Sequence, residues 1–162
     1  MKSLVIYFSK TDSASYKGNT DIIADYISEF TGAVLFKCVP LVPYPEDYGE
    51  AVKVAHFKQD NDERPELKNY LDDISKYDVI YIGGPNYWGE LPYEIYTELD
   101  RLNFEGKIVM PFTTHDGSGL GLIEQMLTFR CKGAEVKKGL AILGTEVKAE
   151  ATKELVKNWV IK

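Results

Sequence analysis

The segment Leu4-Val5-Ile6-Tyr7-Phe8, which runs into Ser9-Lys10-Thr11 and a loop that reaches Gly18-Asn19-Thr20, decides the fold. A continuous apolar run rich in β-branched and aromatic side chains is typical of a strand that is buried on both faces. Beyond the loop, apolar side chains recur at helical spacing at Ile23, Tyr26, Ile27 and Phe30. We expect Thr20 to cap the start of this helix and Gly32 to end it.

The same alternation continues along the rest of the chain. Further strands are predicted at about residues 33–39, 79–82, 107–113 and 134–143, and helices at about 93–102, 120–129 and 155–160. The segment 40–75 is interrupted by Pro43, Pro45 and Pro65 and supports only a short helix. Alternating strands and helices imply a parallel sheet with right-handed crossovers.

We therefore predict an α/β fold with a single domain over residues 1–162. Its core is a doubly wound five-stranded parallel sheet of order 2-1-3-4-5, with helices on both faces so that the domain has three layers. In such folds the ligand binds beyond the carboxyl ends of the strands, at the switch between the first and third strands. Three loops, at about residues 9–20, 84–92 and 113–121, should then converge on one site.

Composition and charge exclude several classes of protein. The 162 residues include 19 basic and 25 acidic side chains, and the net charge of -6 argues against a general affinity for nucleic acid or anionic membrane. Two cysteines, Cys38 and Cys131, are too few for a disulfide framework, and we expect both to be reduced core residues. The apolar run before Ser9 is too short for a signal peptide, and nothing approaches the length of a membrane span. We expect a cytoplasmic protein without membrane insertion.

The first loop, residues 9–20, is rich in hydroxyl groups. A phosphate needs several convergent donors, and hydroxyls, loop amides and a helix N-terminus supply them without much positive charge. The alternative is that these serine, glycine, asparagine and threonine residues form only a turn and a helix cap.

The second loop, residues 84–92, carries Tyr87 and Trp88 at a strand end between glycine and proline residues. Aromatic side chains at a loop tip are exposed unless they cover something, and a planar ring system is a partner on which they can stack. The alternative is that both side chains pack on their own loop.

The third loop, residues 113–121, is glycine-rich and can bring its backbone close to a ligand. Its glycine spacing is not G-x-G-x-x-G, and it does not follow the first strand, so a dinucleotide fingerprint is excluded. His115, Asp116 and Ser118 are too close in sequence for a catalytic triad, and no G-x-S-x-G elbow is present. The other histidine, His56, is far from the loops, so a histidine metal cluster is unsupported.

Together these segments resemble the flavodoxin family, and in particular its branch with a Gly-x-Pro-Asn-Tyr/Trp-Trp-Gly segment, here residues 83–89, and a Thr-His-x-Gly-Ser-Gly segment, here residues 114–119. The resemblance spans nearly the whole chain. Further matching pieces are Gly18-Asn19-Thr20, residues 43–48, Tyr77-Asp78, Gly106-Lys107 and Pro111-Phe112.

The resemblance implies one FMN as cofactor. Its phosphate would be held by Ser9, Thr11, Gly18, Asn19 and Thr20. Its ring system would be held by the second and third loops, through Pro85, Asn86, Tyr87, Trp88, Gly89, Thr114, His115, Asp116, Gly117, Ser118 and Gly119. By the same analogy Trp88 is the main stacking residue and the Gly89 peptide approaches flavin N5. One departure is the insertion of residues 12–17 into the phosphate loop, where Ser13, Ser15 or Lys17 would be additional candidate contacts.

The implied function is electron transfer through bound FMN, with no single catalytic side chain, no metal, and a redox partner protein or a small-molecule electron acceptor as partner. The alternative is an NAD(P)H-dependent reductase of quinones or related acceptors, and the sequence barely distinguishes this reductase from an electron carrier. A non-catalytic binding or signalling module, or a fold that has lost FMN, is the alternative from a different class. A phospho-receiver would need an aspartate at the end of the third strand, where this chain has Gly83-Gly84-Pro85.

Overall fold

A computed structural model describes residues 1–11 and 16–161, and a parallel sheet lies at its centre. The strands are β1 (Ser3–Tyr7), β2 (Val34–Lys37), β3 (Val79–Pro85), β4 (Ile108–His115), β5 (Glu135–Val136) and β6 (Leu140–Leu143). The helices are α1 (Asn19–Thr31), α2 (Tyr48–Asp60), α3 (Tyr93–Leu99), α4 (Ile123–Arg130) and α5 (Glu150–Trp159), with a 3-10 turn at Gly144–Glu146.

The strand order is β2-β1-β3-β4-β5, with β6 also paired to β4, and all of these pairs are parallel. The predicted order 2-1-3-4-5 is confirmed. The strand that we predicted as the fifth is interrupted, because Val136 pairs with Val109 whereas Leu140 pairs with Phe112. The edge strand therefore contains one extra residue relative to β4. In the gap, the Gly139 N–H donates to Glu124 Oε2 on α4 at 2.7 Å instead of joining the sheet.

Helices cover both faces of the sheet. On one face α1 and α5 pack over the side chains of Val5, Tyr81 and Ile142. On the other, α2, α3 and α4 pack over Leu4, Ile6 and their neighbours in the central strands. This two-sided burial is why β1 and β3 are continuously apolar.

The first helix begins differently from the sequence expectation. Its N-cap is Gly18, not Thr20, and Asp21 accepts the Gly18 N–H at 2.9 Å. The Thr20 hydroxyl instead shares a 2.9 Å hydrogen bond with the Thr114 hydroxyl at the end of β4. The helix ends at Gly32, as expected, with φ of 74°.

The other helices match the predicted elements with shifted ends. α2 is longer than the short helix expected from residues 40–75, because Asp47 caps its start by accepting the Glu50 N–H at 2.9 Å. α3 stops at Leu99, three residues before the predicted end, and α4 starts at Ile123, three residues after the predicted start. Cys38 and Cys131 are free and buried, as predicted. Among the described residues, no helix has the length and apolar character required to traverse a bilayer.

Candidate functional site

A cleft of about 370 Å³ lies beyond the carboxyl ends of β1, β3 and β4. This is the position that the strand order predicts for a ligand. The cleft is lined by all three predicted loops and by part of α2. Its lining residues are Ser9, Lys10, Thr11, Tyr16, Gly18, Asn19, Thr20, Tyr48, Pro85, Asn86, Tyr87, Thr114, His115, Asp116 and Ser118.

At one end of the cleft, hydroxyl groups and a helix N-terminus converge. A Cβ on Gly18 would displace the Ser9 hydroxyl and would lie 3.4 Å from the Thr11 hydroxyl, so glycine lets both hydroxyls approach the start of α1. The N–H groups in the first turn of α1 have no carbonyl partner within the helix. Together these groups form a set of neutral donors suited to an anion.

A partly buried ion pair joins β2 to α1 near these donors. Lys37, at the end of β2, pairs with Asp21 of α1 at 2.9 Å and also donates to the backbone carbonyl of Thr11. Lys17, considered above as a phosphate contact, pairs instead with Asp25 at 2.5 Å and is not among the cleft residues. The other candidates in the insertion, Ser13 and Ser15, lie outside the described residues.

The second loop makes a tight turn over residues 87–90. The Tyr87 N–H donates to the Glu90 carbonyl at 2.8 Å, and the Glu90 N–H donates back to the Tyr87 carbonyl at 3.3 Å. The two central residues both have positive φ, 56° at Trp88 and 88° at Gly89. Two positive φ values in a hydrogen-bonded hairpin identify a type I′ turn. Trp88 is strained there, because a side chain with a Cβ disfavours this region.

Hydrogen bonds join the second loop to the third. Asn86 accepts the Gly89 N–H at 2.8 Å through Oδ1 and donates through Nδ2 to the Gly119 carbonyl at 2.7 Å. The Gly89 carbonyl accepts the Leu122 N–H at 2.7 Å. Gly89 and Gly119 therefore shape the two loops around the cleft without lining it.

His115 organises the third loop from within. Its Nδ1 accepts the N–H groups of Gly117 at 2.9 Å and Gly119 at 3.1 Å. With two donors aimed at Nδ1, the neutral imidazole carries its proton on Nε2. Nδ1 is thus occupied by two backbone N–H groups. This arrangement agrees with our rejection of a triad that includes Ser118.

Trp88 lies against α2 and not in the cleft. Its indole N–H donates to the Val52 carbonyl at 3.0 Å, and its ring is 4.6 Å from the His56 ring, centroid to centroid. Its side chain is 54% exposed. Tyr87, by contrast, lines the cleft and packs near Phe8. The aromatic side chain that the structure places in the cleft from this loop is therefore Tyr87.

Two acidic residues near the loops, Asp116 and Glu90, differ in whether they face the cleft. Asp116 lines the cleft. Glu90 is buried behind the turn, where its carboxylate accepts hydrogen bonds from the hydroxyls of Tyr93 and Tyr96 and from the Gln59 amide. Of these two carboxylates, only Asp116 lies where it can act directly on a ligand in the cleft.

Three lining residues were not predicted as site residues. Lys10 and Tyr16 belong to the first loop, and Tyr48 begins α2. Tyr48 was within the segment 43–48 noted for its family resemblance, but its sequence carried no pattern that indicated a ligand. Conversely, the predicted residues Trp88, Gly89, Gly117 and Gly119 contribute to the loops without lining the cavity.

The residues present fit a flat ligand that ends in a phosphate. The cleft volume lies in the usual range for small-molecule sites, about 300–1,000 Å³. Hydroxyls and helix amides gather at the start of α1, and Tyr87, Tyr48 and the third loop contribute the rest of the lining. Of the fifteen lining residues, Lys10 and Asp116 are the two with opposite full charges, so neutral donors supply most of the recognition.

Known structures share this architecture. A protein from Bacteroides uniformis described as a flavoprotein is 29% identical, with a TM-score of 0.77 over 99% of this chain and 98% of its own. A flavoprotein described from Bacteroides eggerthii is 27% identical, with a TM-score of 0.78 over 99% of both chains. A Lactobacillus acidophilus flavoprotein, solved in complex with FMN, is 22% identical, with a TM-score of 0.66 over 93% of this chain and 98% of its own.

Membership of a family follows from the sequence as a whole. No curated protein matches the chain. A family model described as flavodoxin matches residues 2–162, which includes all three loops of the cleft. The resemblance inferred from the loop motifs is thereby confirmed, and the chain belongs to the flavodoxin family.

Proposed function

We propose that this protein binds one FMN in the cleft and transfers electrons through it. The observation that carries the proposal is the convergence of the Ser9 and Thr11 hydroxyls on the start of α1, in a cleft that is also lined by aromatic side chains and by the second and third loops. Family membership and the FMN complex of the Lactobacillus acidophilus neighbour support it.

In this proposal the protein binds and orients the cofactor, and bound FMN supplies the redox chemistry. Ser9, Thr11 and the first turn of α1 hold the phosphate. The second and third loops, joined through Asn86, enclose the ring. The electrons pass to or from a redox partner protein or a small-molecule acceptor, and we place the protein in the cytoplasm.

Comparison of FMN with riboflavin tests the site. Both carry the same ring, and only FMN carries the phosphate, so FMN should bind much more tightly. Quenching of flavin fluorescence on titration with the protein gives both affinities. Equal affinities would remove the phosphate assignment, and a protein that binds neither flavin would refute the proposed function.

The stacking role that the resemblance implies for Trp88 has its own test. Stacking would require the indole to leave α2, whereas Tyr87 already faces the cleft. If Trp88 is the main stacking residue, Trp88→Ala weakens FMN binding by more than Tyr87→Ala does. The same fluorescence titration on both variants decides between them.

A further inference from the structure

Lys37 is a basic residue that joins three segments of the chain. It is the last residue of β2 and pairs in register with Tyr7, the last residue of β1. Its ammonium pairs with Asp21 Oδ1 on α1 at 2.9 Å and donates to the backbone carbonyl of Thr11 in the first loop. Only 19% of its side chain is exposed, and a lysine that is this buried requires such partners.

Asp21 extends these contacts to the start of α1. Its Oδ1 contacts the Lys37 ammonium, while its Oδ2 accepts the Gly18 N–H at 2.9 Å. The Asp21 side chain is only 8% exposed, so water screens these contacts weakly. Through these two side chains, Thr11 is connected to Gly18.

The connection spans the segment that lengthens the first loop. Six residues, 12–17, separate Thr11 from Gly18 in the sequence. The two are nevertheless close in space, because a Cβ on Gly18 would lie 3.4 Å from the Thr11 hydroxyl. A longer loop costs more conformational entropy to close than a shorter one, so the chain by itself constrains Thr11 less than an uninterrupted loop would. The contacts of Lys37 and Asp21 offset this loss of constraint.

The position of Thr11 bears on phosphate binding. Thr11 and Ser9 line the cleft, and their hydroxyls converge on the start of α1. A donor that is already held in place does not have to be ordered when the ligand binds, and this gain appears as affinity. Lys37 itself is not among the residues that line the cleft, so any effect of Lys37 on the ligand acts through Thr11.

We propose that Lys37 is a positioning residue for the phosphate of bound FMN, because it fixes Thr11 against the start of α1 across residues 12–17. This rests on the proposed function, since it assumes that FMN occupies the cleft with its phosphate at Ser9 and Thr11. The lysine does not contact the phosphate. Its contribution is therefore specific to ligands that carry a phosphate, and the flavin ring is held independently of it.

The double variant Lys37→Met/Asp21→Asn tests the proposal. Removal of both charges leaves no buried charge without a partner, and the asparagine oxygen still accepts the Gly18 N–H, so the fold is retained. Circular dichroism verifies this. Titration of flavin fluorescence should show FMN affinity lower by about 2- to 10-fold. Riboflavin affinity should be unchanged, because riboflavin has no phosphate.

Asp21→Asn alone separates the role of Lys37 from that of the carboxylate. This variant keeps the Lys37 bond to the Thr11 carbonyl, so it should bind FMN at least as tightly as the wild type does. If it lost as much FMN affinity as the double variant, the effect would belong to Asp21 and the proposal would be wrong.

Lys153→Met/Glu29→Gln is the matched control. Lys153 of α5 pairs with Glu29 near the other end of α1 at 3.2 Å, and neither residue lines the cleft. This variant should bind both flavins as the wild type does. Wild-type FMN affinity in the folded Lys37→Met/Asp21→Asn variant would overturn the proposal, as would an equal loss for FMN and riboflavin, which would indicate a purely structural role. A wild-type protein that binds neither flavin would instead refute the proposed function.

Discussion

Replacing Gly89 by alanine tests the turn that shapes the second loop. Gly89 has φ of 88°, and a Cβ at this position would meet no atom within 4 Å. Any effect of Gly89→Ala therefore comes from backbone strain and not from a collision. Strain in the left-handed region is about 1–2 kcal/mol for a residue with a Cβ. The reduced freedom of the unfolded chain offsets about 0.4–1 kcal/mol of it.

The expected net effect is a loss of about 1 kcal/mol in the free energy of unfolding, or a decrease of about 2–4 °C in Tm for a chain of this size. Chemical denaturation followed by circular dichroism measures it. The matched control is Gly32→Ala at the end of α1, where φ is 74° and a Cβ would likewise meet nothing within 4 Å.

Both variants should lose similar stability, but only Gly89→Ala should also weaken FMN binding. The reason is that the Gly89 N–H donates to Asn86 and the Gly89 carbonyl accepts from Leu122, so Gly89 takes part in the contacts between the loops of the cleft. Gly32, by contrast, ends a helix away from the cleft. If Gly89→Ala were as stable as the wild type while Gly32→Ala lost the expected amount, the turn would have a different conformation in solution and our reasoning would be refuted.

Three further predictions concern side chains around the core. Trp88→Ala removes the indole bond to α2 and should lower the free energy of unfolding by about 1 kcal/mol in urea denaturation; no change would mean that the indole is not held there. Because burial raises the pKa of Glu98, the wild type should gain stability relative to Glu98→Gln as pH falls from about 7 to about 5, and parallel pH curves would contradict this. Burial raises the pKa of Cys131 to about 12 and that of Cys38 well above its usual value. Both thiols should therefore react with a disulfide reagent only after unfolding, and rapid labelling of the native protein would be inconsistent with their burial.

The sequence alone determined the strand order and the position of the cleft. The apolar runs of β1 and β3 and the helical spacing of α1 are local patterns, and parallel connectivity then leaves few arrangements. The carboxyl ends of parallel strands meet at one edge of the sheet. The sequence alone therefore implied that the three loops converge there. The family was likewise readable from the loop motifs, since these are contiguous in the chain.

The tertiary structure decided which side chains of those loops face the cleft. Thr20 has the local character of a helix cap, but Thr114, 94 residues away, takes its hydroxyl. Trp88 is directed onto α2 by a carbonyl 36 residues away, and Tyr48 reaches the cleft through Asp116, 68 residues away. Side-chain direction in a turn depends on partners brought together by folding, and no local periodicity of the sequence encodes such distant pairs.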